Sequence, residues 1–263
     1  MATEEAKVKL YWLSQSRSQR IVWLLEELKC NYEIELFHRD KQTLMAPPEL
    51  DKVHPLGKSP VVSITPPGDA SKPIVLAESG LIMEYLVEHF PEGSKLVPKK
   101  WQDGKENTIG GETEAWLRYR YYMHYAEGSL MPILVFALVL SRLKSPQVPF
   151  LARPITSIIA NKIMATFIYP NAKKHLKFLE GELATSGGVY LCGDQLTVAD
   201  MMMSFPVIAA KGRWDEFGPW EGGSWRTAFP NLLKYTEILE SHPSYKKSIA
   251  KIEEVDGKFN PSL

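Results

Sequence analysis

Hydrophobic and polar positions change period several times between Val8 and about His89. "VKLYWL" reads as a strand, and "YEIELFHR" alternates with period two, as a half-buried strand does. Between them, "SQRIVWLLEELK" sets Ile21, Leu24, Leu25 and Leu28 at helical spacing, with Ser18 placed to cap the start. "PVVSIT" and "IVLAES" are short β-branched runs on either side of "PPGDASKP", a breaker-rich stretch suited to a hairpin loop. In "SGLIMEYLVEHF", Leu81, Ile82, Tyr85, Leu86 and His89 recur at helical spacing, and Ser79 stands where an N-cap belongs. The predicted order is β-α-β, a short irregular element in "APPELDKVHPLGK", then β-β-α.

After "FPEGSKLVPKK", where breakers replace periodicity, the texture changes. From about Glu106 onward the pattern is helical throughout, with no strand and no fixed-period repeat. This gives a domain at 1–93, a linker at 94–105 and an all-helical domain at 106–263. In "LTVADMMMSF", Thr197 and Asp200 have the spacing of a capping box in its aspartate form. The helix behind them is almost entirely apolar, so a buried, structural role is expected for both residues. The Tyr and Met residues of "WLRYRYYMHYAEG" read either as core or as the wall of a pocket.

Charge and cysteine content narrow the function. The 263 residues carry 31 Lys+Arg and 31 Asp+Glu, a formal net charge of +0, which gives no basic footprint for nucleic acid. Only Cys30 and Cys192 occur, without C-x-x-C or Cys/His spacing, so neither a disulfide scaffold nor a metal is expected, and a reducing, cytoplasmic setting fits. The longest apolar run, "LMPILVFALVL", is too short to span a bilayer and contains Pro132, so no transmembrane segment is predicted.

A β-α-β then β-β-α order on a small mixed sheet is the thioredoxin-like arrangement. Its reactive corner lies after the first strand, where helix amides collect partial positive charge and favour an anion such as a thiolate. Here that corner is "SQSRSQR", with hydroxyls where a redox enzyme would carry cysteine. A hydroxyl can donate to a thiolate that arrives with a ligand. Lowering a thiol pKa by about two units needs about 2.7 kcal/mol, within reach of one charge-assisted hydrogen bond plus a helix terminus.

Two further motifs suit a peptide-like ligand. In "HPLGKSPVV", a cis Ser59–Pro60 bond would turn the Ser59 backbone away from the sheet, and Lys58 offers a cation for a carboxylate. In "LAESG", Ser79 at a helix N-terminus can bind a carboxylate while Glu78 takes an ammonium, which together suit an α-amino acid head group.

"LSQSRSQRIVWLLEEL", "HPLGKSPVV", "LAESGLIMEYL", "HYAEGSLMP" and "LTVADMMMSFP", in this order, resemble the cytosolic glutathione S-transferases, most closely the fungal and bacterial branch. The resemblance spans about Val8 to about Tyr245. It implies an α/β thioredoxin-like N-terminal domain plus an all-α C-terminal domain, a homodimer, and glutathione as co-substrate. By the family pattern, Ser59 pairs with the cysteinyl part of glutathione, Lys58 meets the glycyl carboxylate, and Glu78 with Ser79 holds the γ-glutamyl end; Pro60 is structural. The register with Arg20 assigns thiolate activation to Ser16, with Ser14, Ser18 and Tyr11 as alternatives. The second substrate is then a hydrophobic electrophile, organic hydroperoxides included. The rival reading is a non-catalytic regulatory or scaffold relative.

Overall fold

The computed structural model describes residues 6–68 and 72–259. Its described residues divide into two compact units: one runs to Pro98 and also takes residues 240–259, and the other is Lys99–Leu239.

In the first unit the elements follow in the order β1 (Lys7–Leu13), α1 (Gln19–Glu27), β2 (Tyr32–Phe37), a 3-10 turn at Pro48–Lys52, β3 (Val61–Thr65), β4 (Ile74–Ala77) and α2 (Ser79–His89). This is the predicted order. The sheet runs β2-β1-β3-β4, with β1 parallel to β2 and antiparallel to β3, and β3 antiparallel to β4. Residues 69–71 of the predicted hairpin loop lie outside the described residues. Along β1, Val8, Leu10 and Trp12 are buried, while Lys7, Lys9 and Tyr11 share the opposite, partly open face. Tyr11 therefore points away from the face that carries Leu10.

Every residue of α1 from Gln19 to Leu25 is buried, more than its one predicted stripe requires. The cover comes from α10 (Pro243–Asp256), which packs on α1 within this unit. Trp23 meets Tyr245 edge to face at 5.0 Å and donates its indole N–H to Ser244 Oγ at 2.8 Å. The Trp12 indole donates to Asp256 at 3.2 Å. The sequence reading assigns this last helix to the helical domain; its contacts place it with the sheet.

Helix α2 corrects a smaller expectation. It buries Ile82, Met83, Leu86 and Val87 and leaves Leu81 51% exposed, so the apolar stripe is rotated one position from the predicted one. Tyr85 and His89 stack on each other at 4.0 Å rather than facing the core. The expected 94–105 linker is ordered at both ends. Pro91–Leu96 form a 3-10 turn in the first unit, and Trp101 bridges Glu112 in the second.

The second unit contains α3 (Glu114–Tyr125), α4 (Met131–Arg142), α5 (Arg153–Ile163), α6 (Tyr169–Thr185), α7 (Val198–Ala209), a short α8 (Trp225–Ala228) and most of α9 (Pro230–Ser241), with no strand among the described residues. Wide π-type turns at Ala126–Leu130 and Met164–Ile168 lead into Pro132 and Pro170. Each proline removes a ladder donor, and the widened turn lets the helix continue past it. Glu114–Arg142 is thus one 29-residue helix, long and apolar enough to cross a bilayer by length and composition, which the shorter apolar run in the sequence does not reveal. Tyr122, Met123, Leu130 and Leu134 on it are buried, as in a core helix. Tyr119 and Tyr125 join them, so most of the tyrosine stripe is core, while Tyr121 stays 48% exposed.

All of α7 is buried, and its start hangs on Asp200. The carboxylate accepts from Thr197 N (2.9 Å), Thr197 Oγ1 (2.7 Å), Leu191 N (3.0 Å) and the Tyr235 hydroxyl (3.0 Å). Burial pushes its pKa up, and these hydrogen bonds act in the opposite direction. Asp200→Ala leaves four buried donor groups without that acceptor, which costs about 4 kcal/mol, the low end of about 1–3 kcal/mol per group. Calorimetry should then show Tm lowered by about 10 °C. His175 offers a pH test. Burial lowers its pKa below the ordinary 6.5, and Nδ1 lies 2.6 Å from the Tyr125 hydroxyl. Below that pH the unfolded chain takes up a proton that the folded one refuses, so stability is full above pH 6.5 and falls as the pH drops. In His175→Gln, denaturant titrations between pH 7 and 5 should show a shallower fall.

Candidate active site

Sheet register brings the three sequence motifs to one end of the sheet. Tyr11 pairs with Val61, and Val61 pairs with Ala77. Pro60 and Glu78 adjoin that row directly and the loop after β1 begins three residues on at Ser14, so the loop, the Ser59–Pro60 bend and the β4–α2 junction lie at the same end of the sheet. The Ser59–Pro60 bond is cis, as the sequence reading requires, and the β3 pairing begins only at Val61, leaving the Ser59 backbone outside the sheet.

The serines of the corner do three different jobs. Ser14 belongs to the scaffold: its hydroxyl accepts from Arg39 N at 3.2 Å and its amide donates to Phe37 O at 3.0 Å. Arg39 then ties the corner down by donating to the carbonyls of Ser14, Gln15 and Leu44. Nothing in the sequence marked Arg39, because its role depends on the parallel pairing of Leu13 with Phe37.

Ser16 and Ser18 belong to a chain of hydroxyls. Ser59 Oγ donates to Tyr11 O at 3.0 Å, Ser18 Oγ hydrogen-bonds Ser59 Oγ, and Ser16 Oγ donates to Ser18 Oγ at 2.9 Å. The Ser18 amide donates back to Ser16 Oγ at 3.2 Å. With Ser59 committed to a carbonyl, its oxygen is an acceptor, so the Ser18 proton points to Ser59 and the Ser16 proton to Ser18. Ser16 stands at the end of this chain, 7% exposed, and Ser18 is fully buried within it. Ser18 is consequently not the side-chain cap of α1 that its position suggests; no side chain caps that helix.

The start of α2 brings a second correction. Ser79 is the first helical residue rather than the N-cap; Glu78 occupies the cap position and its carboxylate makes no capping bond. The first amides of α2 are therefore left to an outside acceptor. Glu78 has φ 72° and ψ 120°, an uncommon conformation for a residue with a side chain, which costs on the order of 1–3 kcal/mol. Its carboxylate is exposed beside the 5% exposed Ser79. Lys58 is exposed and follows Gly57, whose φ is 54° and where a Cβ would come within 2.0 Å of Asp51 Oδ1.

Neither cysteine enters this corner. Cys30 follows the far end of α1, and Cys192 is buried in the second unit, where burial pushes its thiol pKa up.

Models of two families match: the glutathione S-transferase N-terminal domain over residues 16–89 and the glutathione S-transferase C-terminal domain over residues 165–237. Glutathione S-transferase 1 of Saccharomyces cerevisiae is 32% identical over 252 residues, 96% of this chain and 98% of the relative. The chain belongs to the glutathione S-transferase family. The fold agrees: a glutathione S-transferase from Actinobacillus pleuropneumoniae superposes with a TM-score of 0.65 at 27% identity, covering 97% of this chain and 95% of that one. Ure2p5 of Phanerochaete chrysosporium, cocrystallized with 1-(S-glutathionyl)-2,4-dinitrobenzene, is similar in fold with a TM-score of 0.64 at 17% identity, over 98% and 99% of the two chains. Ser16, Lys58, Ser59, Glu78 and Ser79 of this glutathione S-transferase lie within the residues that the N-terminal domain model matches.

The strain at Glu78 gives a direct test. Glu78→Gly relieves the backbone and should raise stability by about 1 kcal/mol in denaturant titrations. Glutathione calorimetry on the same variant checks whether Glu78 contacts the ligand: one lost charge-assisted contact is worth about tenfold in affinity.

Proposed function

We propose that this glutathione S-transferase binds glutathione across the end of its sheet, ionises the thiol beside Ser16, and presents the thiolate to an apolar electrophile. The reading gives each motif one end of the tripeptide. The γ-glutamyl carboxylate takes the open amides of α2 with the Ser79 hydroxyl, and its ammonium takes Glu78. The cysteinyl backbone pairs with Ser59 outside the sheet, and the glycyl carboxylate meets Lys58.

The observation that carries this reading is the hydroxyl chain from Ser16 through Ser18 and Ser59 to the Tyr11 carbonyl. To serve a thiolate, Ser16 turns its proton from Ser18 Oγ to sulfur while the Ser18 amide continues to donate to its oxygen. That exchanges a neutral hydrogen bond of about 1 kcal/mol for a charge-assisted one of about 1.5–3 kcal/mol. The net gain, about 1 kcal/mol, lowers the thiol pKa by less than one unit. The partial positive charge of the α1 N-terminus supplies the rest, through the field that favours anions at helix starts, the Arg20 and Ile21 amides themselves being bonded to Arg17 O and Ser18 O. Activation is therefore shared between one hydroxyl and the helix terminus.

Tyr11 is the weaker alternative. Its carbonyl already anchors the chain of serines, and its ring lies against Phe37 with centroids 6.4 Å apart. Once formed, the thiolate attacks an electrophilic carbon, or the oxygen of an organic hydroperoxide, and the site's contribution is position and charge. A homodimer acting in the cytoplasm completes the proposal.

Three measurements on wild type, Ser16→Ala and Ser18→Ala test it: glutathione affinity by calorimetry, the bound thiol pKa by ultraviolet thiolate absorbance, and turnover of a generic aryl halide. Ser16→Ala should keep its affinity, raise the thiol pKa by about 0.7 unit and lose about fivefold in kcat/KM below that pKa. Ser18→Ala should lose affinity as well, because Ser59 keeps only its bond to the Tyr11 carbonyl. An unchanged thiol pKa in Ser16→Ala removes Ser16 from the mechanism. Absence of glutathione binding by the wild type favours the scaffold reading instead.

A further inference from the structure

The turn that carries Ser16 contains a residue that local preference does not hold in place. Gln15 has φ 51°, in the left-handed region, which a residue with a side chain keeps only where its surroundings over-determine it. Arg39 supplies part of that constraint by donating to the carbonyls of Ser14 and Gln15 at 3.1 and 3.3 Å. Its reach depends in turn on the ends of β1 and β2 staying in register at Leu13 and Phe37.

One carboxylate holds both strand ends. Asp256, the last residue of α10, accepts from the Trp12 indole N–H at 3.2 Å through one oxygen and from His38 Nε2 at 2.5 Å through the other. Trp12 stands two residues before Ser14, and His38 directly precedes Arg39. An ionised carboxylate only accepts, so the proton of the second bond is on Nε2. The Asp256 side chain is 10% exposed, which sets this pair apart from the solvated ion pairs of the surface. Nor does Asp256 serve its own helix. A negative charge in the last turn opposes the helix dipole, and Gly257, at φ 78°, already closes α10.

The same helix also meets the chain that follows the turn. Gln19, the first residue of α1, donates from Nε2 to Ser248 Oγ at 3.5 Å, and Trp23 bonds Ser244 one turn further on. Residues 14–18 therefore span two stretches that are both fastened to α10.

We propose that Asp256 is a positioning residue for the Ser14–Ser18 turn: by joining Trp12 to His38 it fixes the ends of β1 and β2, and through Arg39 it keeps Ser16 aimed at the glutathione sulfur. The link to sulfur rests on the proposed role of Ser16. The last helix is then part of what activates the thiol at the first, and the effect of Asp256 on the thiol passes through Ser16.

Amide hydrogen exchange on the ligand-free protein and the bound thiol pKa, measured on Asp256→Ala, Asp256→Asn, Ser16→Ala and Ser16→Ala/Asp256→Ala, test the proposal. The Ser14 amide donates to Phe37 O and the Ser18 amide to Ser16 Oγ, so their exchange reads the turn directly. In Asp256→Ala both should exchange about tenfold faster, while the amides of β3 keep wild-type protection. Asp256→Asn, which retains an acceptor for the Trp12 indole, should recover most of that protection. In Asp256→Ala the bound thiol pKa should rise by about 0.5 unit, within the share of Ser16, and kcat/KM should fall about threefold with glutathione affinity kept. The double variant should match Ser16→Ala in thiol pKa. Unchanged exchange at Ser14 and Ser18 overturns the proposal, as does faster exchange spread evenly over the sheet, which is lost stability alone. A double variant whose thiol pKa lies clearly above that of Ser16→Ala also overturns it, because Asp256 then acts apart from Ser16. Should Ser16→Ala leave the thiol pKa unchanged while Asp256→Ala still loosens Ser14 and Ser18, the role of Ser16 fails and the positioning of the turn stands.

Discussion

Where the pairing of the central strand stops governs the whole corner. β1 is bonded on both sides, to β2 as far as Leu13 and Phe37 and to β3 as far as Tyr11 and Val61. Because β3 ends at the cis Ser59–Pro60 bend, the Tyr11 carbonyl meets a side chain, Ser59 Oγ, where a longer strand would have supplied a backbone amide. Main-chain groups in a protein interior need partners, so this one vacated ladder position anchors the run of hydroxyls through Ser18 to Ser16. On the other side, Phe37 receives the Ser14 amide and Arg39 holds the turn, which fixes the entry to α1. The site is set by strand register.

Electrostatics follows from that placement. Two helices begin at the same end of one sheet, neither has a side chain capping its first amides, and the side chains that could have done so are engaged elsewhere or turned out. Ser18 is bonded within the serine chain, and Glu78 is held at positive φ with its carboxylate in solvent. Doing without a side-chain cap costs about 1 kcal/mol at each helix, and the Glu78 backbone adds strain of similar size. In the proposed function, a ligand with one carboxylate and one thiolate offsets those costs on binding.

The helical unit uses burial in two opposite ways. In α7 the apolar residues face inward on every side, and one carboxylate, Asp200, collects the amides and hydroxyls that water cannot reach. In α5 the apolar residues face outward and only an alanine is enclosed. Both helices are amphipathic or apolar by composition, and nothing local distinguishes a stripe that meets the core from one that meets solvent. The difference lies in what stands beside each helix.

By itself the sequence determined the order of the elements, the change from mixed to all-helical texture, the cis Ser59–Pro60 bend, and the Thr197–Asp200 start of α7. All of these follow from periodicity or from residues a few positions apart, where backbone preferences act. The motifs around Ser16, Lys58–Ser59 and Glu78–Ser79 stand out in the sequence as candidates, because turn and helix-start chemistry is local. Only the tertiary structure decided that Ser18 bonds Ser59 across 41 positions instead of capping α1, that Glu78 rather than Ser79 holds the cap of α2, and that Arg39 braces the corner. It also decided that α10 covers Trp23 in the first unit and that the isoleucines of α5 look outward. Each of those outcomes depends on which of several chemically equivalent partners strand register and helix packing bring within hydrogen-bond or van der Waals reach, and a periodic pattern carries no record of that choice.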